Sequence, residues 1–263
     1  MPMESLFVQE RSSVKDKSGN KKIPGITTGI VKDNYDEQHP GMVKVEIFMG
    51  EDKNNLTDWV RVMQNYAGNG YGSYFLPEIG DEVIIGFNLG EMNRPYVLGC
   101  LWSSGKNKIP ENTAVKYNTV KRIKTKGGHE VIFNEEKNKG SFEIHTPKNL
   151  KITLDDEKQT INIQDHKGEN ILSIDGENGS VTIEAKKSIC FEAGQKVSLK
   201  LNGTDNSIEL KAGKIDLNAN QASTIKAQNV KVSGTSVEVK GSGSTKVQTS
   251  GVLTLKGSMT KIN

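Results

Sequence analysis

The chain of 263 residues is 34% hydrophobic and 25% charged, with 35 Lys+Arg against 32 Asp+Glu for a net charge of +3 and a mean hydropathy of −0.54. So few apolar residues argue against a compact globular enzyme of this length, and so even a charge argues against the basic stripe of a nucleic-acid binder. The longest apolar stretches, such as Val83–Phe87, are too short to cross a bilayer, and Met1–Arg11 has neither the basic region nor the apolar core of a secretory signal. Cys100 and Cys190 cannot form a framework of disulfides, so two buried or incidental thiols in a reducing cytoplasm are expected.

The distribution of residue types is more telling than the totals. Of 15 aromatic residues, 13 lie in residues 1–140, and all seven prolines lie at or before Pro147. Two materials meet near residue 140.

Residues 1–21 are polar and aperiodic, and are expected to form a flexible or docking arm. Residues 22–104 carry short strand patterns. Ile26–Val31 is one. Val43, Val45 and Ile47 alternate with Lys44 and Glu46, as a strand with one wet face requires. Trp59–Met63, Glu82–Phe87 and Tyr96–Leu101 follow, separated by turn signals at His39–Gly41, Gly68–Gly70, Pro77–Asp81 and Asn93–Pro95. Five or so strands in about eighty residues suit a small barrel of the OB type. Residues 105–120 form a polar connector, and residues 121–180 read as a hairpin-rich base: Glu130–Phe133 with Phe142–His145, Leu150–Leu154 with Thr160–Ile163, and Ile171–Ile174 with Val181–Ile183.

From residue 181 to 263 a short repeat takes over. One apolar residue per unit can be followed through Ile183, Phe191, Leu199, Ile208, Ile215, Ile225, Val232, Val239, Val247 and Leu255, in steps of 8, 8, 9, 7, 10, 7, 7, 8 and 8. Val181, Ile189, Val197, Val230 and Val237 stand two positions earlier in their units, a strand period inside an eight-residue register. Such a unit buries about two side chains on one face, and a single chain has no second sheet to cover them. A monomeric β-helix needs coils of roughly twenty residues to go round. Three intertwined chains solve this by closing a triangular prism around an axial apolar core. The absence of proline fits, because each strand must donate its ladder hydrogen bonds. At about 4.8 Å per strand, ten such units give a rod on the order of 50 Å.

At this point the residues resemble a known family, the central spike of contractile injection systems: the phage baseplate assembly protein V group and the C-terminal half of type VI secretion spike proteins. The resemblance is carried by Asp58–Val62, by Tyr66–Val83 and by Arg94–Gly99. These are similar to the family's WxRV, AGxGxGxxFxPExGDEV and RPxVLG, and Lys126–Val131 resembles its SGHxI stem start. The signature residues are Trp59, Arg61, Gly68, Gly70, Gly72, Pro77, Gly80, Asp81, Glu82, Pro95 and Gly99. The chain departs from the family at Gly41-Met42, Phe48-Met49 and Gly90-Glu91, all in barrel turns.

The resemblance implies an all-β fold, an N-terminal OB barrel followed by an intertwined trimeric β-prism stem, in a structural needle that punctures membranes and is built into the baseplate of a phage tail, tailocin or related injection particle. The axial core would be Ile183, Phe191, Leu199, Ile208, Ile215, Val232, Val239, Val247 and Leu255. The partners it implies are two further copies of the chain, a separate hub protein at the barrel end, since only residues 1–21 precede the barrel, and transient contact with a target cell envelope. A small conical PAAR-like tip protein is expected on Gly257, Ser258, Met259, Ile262 and Asn263, because no histidine follows His166 to bind the iron with which some phage spikes finish their own point.

Catalysis is not expected, nor any cofactor, metal site or stable nucleic-acid partner. His129 reads as a strand-edge residue, and His39, His145 and His166 have no partner at metal-ligand spacing. Asp155–Glu157 reads as a solvated turn. No G-x-S-x-G frames a serine nucleophile, and no helix follows Gly68–Gly72 to hold a phosphate. Tyr66, Tyr71, Tyr74 and Phe75 could stack bases, which keeps a trimeric OB module for nucleic acid or glycan as the alternative reading. Interleaved glycines rather than lysines favour a role in closing the barrel and meeting a neighbouring subunit.

Overall fold

A computed structural model describes residues 14–15, 21–22, 25–47, 55–103 and 105–261. The chain is nearly all β. Within the segment expected to be an arm, β1 (Val14–Lys15) and β2 (Lys21–Lys22) pair antiparallel, so a short ladder stands there and crosses the boundary drawn at residue 21; the rest of that segment lies outside the described residues.

Five strands close the expected barrel: β3 (Ile26–Asp33), β4 (Met42–Ile47), β5 (Val60–Val62), β8 (Glu82–Phe87) and β9 (Pro95–Cys100), with the two-residue strands β6 (Ala67–Gly68) and β7 (Tyr71–Gly72) forming a separate small hairpin. The order round the barrel is β3-β4-β5-β9-β8, with β3 pairing back onto β8 and a single parallel pair between β5 and β9. Alternation sends Thr27, Gly29 and Val31 of β3 inward, with Val43, Val45 and Ile47 of β4 and Val83 and Ile85 of β8. Val60 and Val97 complete the core. Gly29 is required by closure: a Cβ there would lie 2.6 Å from both the Glu46 carbonyl oxygen and Val45 Cγ1. Register shifts at Val31/Asp33 of β3 and opposite Ile84/Ile85 in the β8–β9 pair add the bends that a closed sheet needs.

Seven further strands form an antiparallel meander in strict sequence order: β10 (Val120–Lys124), β11 (Glu130–Asn134), β12 (Ser141–His145), β13 (Lys151–Asp155), β14 (Thr160–Gln164), β15 (Asn170–Asp175) and β16 (Ser180–Ala185). The turns explain the regularity. A short polar side chain opens each one and accepts a backbone N–H ahead of it: Thr125 from His129, Asn134 from Glu136, Thr146 from Leu150, Asp155 from Lys158, Asp165 from Glu169 and Asp175 from Asn178. A residue with positive φ then reverses the chain, namely Gly128, Asn138, Asn149, Gln159, Gly168 and Gly179. Strands β17 (Ser188–Ala193), β18 (Val197–Asn202) and β19 (Ser207–Lys211) make a three-stranded sheet. Among the described residues no strand follows Lys211, and residues 213–261 are exposed throughout.

Candidate assembly surface

The unbroken register of the meander stacks its side chains into columns. One column runs Ile123, Val131, Ile144, Ile152, Ile163, Leu172, Ile183. A second, on the same face, runs Lys121, Phe133, Phe142, Leu154, Ile161, Ile174, Val181. Thirteen of these fourteen positions are apolar, so strands of five or six residues generate one continuous apolar face two columns wide. Phe133 and Phe142 pack with ring centroids 5.0 Å apart. Ile144, Ile152, Ile163, Leu172 and Ile183 line a concavity of about 700 Å³.

That face is uncovered. Ile152 is 37% exposed, Ile163 44% and Val181 67%, whereas Val31, Val43, Val45, Val83, Ile85 and Val97 in the barrel are each at 0%. Covering half-exposed aliphatic side chains is worth on the order of 1 kcal/mol each, a large driving force when summed over thirteen residues.

The opposite face is largely polar and internally paired, with Val120, Ile132 and Ile171 among its few apolar positions. Glu130 is buried and meets Lys124 at 2.5 Å and Arg122 at 3.3 Å, with His145 at 3.8 Å. The Lys124 hydrogen bond is the main cause holding the Glu130 carboxyl below its ordinary range; burial opposes it, and the charges of Arg122, Lys124 and His145 add to the lowering. His145 Nδ1 also lies 2.8 Å from Glu143, which pairs in turn with Lys151. Arg122 reaches out of the sheet to donate to the Glu111 carbonyl at 2.5 Å, tying the connector to this face.

The residues singled out as an axial core fall in three settings. Ile183 belongs to the apolar face. Phe191, Leu199 and Ile208 lie on β17, β18 and β19. Ile215, Val232, Val239, Val247 and Leu255 sit beyond the last strand and are exposed, so a single chain does not bring them together. Sequence reasoning began that core at Ile183 and missed the sixty residues of the same pattern before it. The signal was present in the hairpin register: antiparallel pairs without a register shift keep most aliphatic residues on one side.

The barrel signature has defined structural tasks. Trp59 stacks on His39 at 5.9 Å with Lys44 over its ring at 4.9 Å, and Arg61 Nη2 donates to the Tyr96 hydroxyl at 2.6 Å. Pro77 is buried and its carbonyl accepts from Asn34 Nδ2 at 3.0 Å. In the turn that follows, Gly80 takes φ 97° and the Asp81 carboxylate accepts from the Glu78 N–H at 2.9 Å. Glu82 and Pro95 open β8 and β9, and Gly99 follows the irregularity in β9. Gly68, Gly70 and Gly72 shape the β6–β7 hairpin, where a Cβ on Gly72 would lie 2.4 Å from the Tyr66 carbonyl oxygen.

One expectation is overturned here. Tyr66, Tyr71, Tyr74 and Phe75 do not close the barrel; all four are exposed, the β6–β7 hairpin is not part of the barrel sheet, and the Tyr66 and Tyr71 rings lie 5.5 Å apart. Of the two settings expected for the cysteines, buried or incidental, the structure shows Cys100 and Cys190 as exposed free thiols. At the expected tip site, Gly257, Ser258 and Met259 are exposed, and Ile262 and Asn263 lie outside the described residues. Among the described residues no group of three or more His, Cys, Asp or Glu side chains could hold a metal ion.

Comparison with known proteins places this geometry. Residues 27–102 match the family model of the type VI secretion system/phage-baseplate injector OB domain. The closed barrel is thus an OB domain. The chain is also similar to the type VI secretion system spike protein VgrG5 of Pseudomonas aeruginosa, at 35% identity over 88 residues, or 32% of this chain and 11% of that protein. Spike protein VgrG1b of the same organism is 32% identical over 129 residues, 45% of this chain and 17% of that protein. The actin cross-linking toxin VgrG1 of Vibrio cholerae is 30% identical over 154 residues, 52% of this chain and 14% of that protein. The matched segments thus span less than a fifth of these relatives.

Proposed function

We propose that the protein is the homotrimeric central spike of a contractile phage tail, tailocin or related injection particle. The observation that carries this reading is the two-column apolar face of β10–β16, which a single chain leaves open while its barrel is closed and fully packed. Three such faces turned inward would make a dry prism. The exposed repeat beyond Lys211 supports the same reading, since its unpaired backbone is what an intertwined stem would pair between chains. The likeness to spike proteins supports a role in the baseplate.

In this reading the work is mechanical. Interchain ladder hydrogen bonds and an axial core including Ile215, Val232 and Leu255 resist buckling as the tube is driven into an envelope. A hub protein sits at the barrel end, and a PAAR-like tip protein is seated on Gly257–Asn263. The likeness to type VI secretion spike proteins favours a non-catalytic role.

Mass in solution tests the assembly: a stable species near three times 28.8 kDa is expected, and a monomer overturns the reading. Deleting Gly257–Asn263 tests the tip. The trimer should survive and retention of the tip protein on isolated particles should be lost; a tip that stays bound removes that site from the proposal.

A further inference from the structure

The two edges of the meander carry opposite charge. Turns leave the sheet alternately on its two sides. On the side beyond the column Asn134, Ser141, Asp155, Thr160, Asp175, the turns contain Glu135 and Glu136, then Asp155, Asp156 and Glu157, then Asp175 and Glu177. Lys137, Lys139 and Lys158 in the same turns oppose these seven carboxylates, and Lys121 of β10 reaches Glu135 at 3.0 Å. On the other side the turns contain Lys126, Lys148 and Lys167, and the chain leaves β16 through Lys186 and Lys187; Asp165 and Glu169 are the acids there. With histidine neutral, the turns of one edge are four charges negative, or three with Lys121 counted, and those of the other are three positive, or two with the Lys126–Glu78 pair counted.

Local pairing reduces this asymmetry without removing it. Lys139 meets Glu136 at 3.5 Å, Lys158 meets Asp155 at 3.4 Å and Lys186 meets Glu169 at 2.5 Å. Each of these pairs joins one base to one acid of the same edge, whereas Lys121–Glu135 at 3.0 Å and Lys126–Glu78 at 3.1 Å each offset one charge of an edge. Asp156, Glu157 and Glu177 on one side and Lys148, Lys167 and Lys187 on the other are all exposed.

We propose that these edges select the arrangement of copies, with the acidic edge of one chain seated against the basic edge of the next. This rests on the trimer reading above and adds orientation to it. Rotation about the stacking direction of the strands puts each acidic edge beside a neighbour's basic edge at every corner. An antiparallel arrangement of copies would instead set acid against acid. A cyclic rotation also keeps strands level, and the turns on the two edges are offset by one strand, about 4.8 Å. Each acidic turn then falls between two basic turns of its neighbour. Exposed ion pairs add little stability singly, but fields of opposite sign steer encounter and penalise wrong pairings.

The test is refolding and assembly of the full chain at low and high salt, read by mass. Reversing the acidic edge with E136K, E157K and E177K, or the basic edge with K148E, K167E and K187E, should lower trimer formation at low salt by about ten-fold. High salt should restore it as screening shortens, and a chain carrying all six changes should assemble like the wild type. As a control on folding, the two reversed chains refolded together should give mixed trimers in excess of the three-quarters expected from random mixing. Single-edge variants that assemble normally at low salt, or mixed trimers in merely statistical proportion, would overturn the edge assignment while leaving the trimer standing. A monomeric wild type would overturn both.

Discussion

The barrel and the meander are written in the same alphabet, branched aliphatic residues at every second position, and finish with opposite exposures. Val43 and Val45 are fully buried, whereas Ile152 and Ile163, in strands of similar length and alternation, remain more than a third exposed. What differs is closure. The eight-residue β3 pairs with both β4 and β8, and register shifts bend the sheet onto itself. The meander has no such irregularity in any of its pairs, and β10 and β16 have no second partner within it. Alternation specifies an apolar face; bulges, long strands and a closing pair specify whether the chain covers that face itself.

The sharpest way to break this comparison is to charge the uncovered face. In the proposed trimer Ile163→Asp would place three carboxylates in a shared apolar interior, a cost of several kcal/mol, and the assembly should be lost by mass and by thermal melting. Ile215→Asp should do the same further along the repeat. In a single chain Ile163 is 44% exposed, and an aspartate there would be nearly harmless. An unchanged mass and melting temperature would mean that the face stays wet.

In the barrel the same kind of substitution acts within one chain. Ile85→Ala, at 0% exposure, should cost about 2–4 kcal/mol of barrel stability through lost contacts and a cavity. Gly29→Ala should cost about 1–3 kcal/mol, because the added methyl meets backbone at 2.6 Å. Both losses should appear in denaturant unfolding followed by Trp59 fluorescence while the trimer mass persists. If Ile85→Ala instead dissociates the trimer, the two regions are not separable in the way their packing indicates.

These contrasts also mark how far the sequence could be read. The barrel strands were legible because Pro, Gly and Asp punctuate them and valines fill one face; its order needed the β3–β8 closing pair, which no local pattern announces. The meander hairpins were legible from the turns. Its assembly face was recognised only from Ile183 onward, because an eight-residue repeat draws the eye while turns of unequal composition conceal the same alternation in residues 123–172. The aromatic hairpin was misread, because a tyrosine beside glycines gives no sign of whether it faces in or out. Glu130 carries no signal either: its setting depends on Arg122, Lys124 and His145, contributed by the two strands that flank β11.

Glu130 supplies the next test, on the polar face. Its carboxyl is held below the ordinary value of about 4.3, first by the Lys124 hydrogen bond. A carboxylate lowered in the folded state stabilises fully above the unfolded value, and that contribution is lost as pH falls through the folded value. Glu130→Gln should therefore reduce stability at neutral pH by about 1 kcal/mol. It should also flatten the decline of stability below pH about 4. Unfolding midpoints measured from pH 7 to pH 3 check this. A variant whose acid-side decline is as steep as the wild type's would show that the Glu130 cluster does not stabilise the meander.

The smallest effect is expected in a turn, where the meander sets its register. Burial raises the Asp165 carboxyl, but hydrogen bonds outweigh it: the Asn170 side chain and the N–H groups of Glu169, Asn170 and Lys167 all donate to it, and the net result is a value of about 2. The sign is that of Glu130. The stabilisation is complete above the unfolded value of about 3.9 and fades as pH falls toward 2. Asp165→Asn keeps an oxygen that can open the turn but removes the charge that strengthens its bonds. The variant should melt slightly lower at pH 7 and converge with the wild type near pH 2. The Asp165 carboxyl should also titrate well below an ordinary aspartate by NMR. An ordinary titration, or a melting difference that persists unchanged into acid, would mean that the charge plays no part in holding this turn.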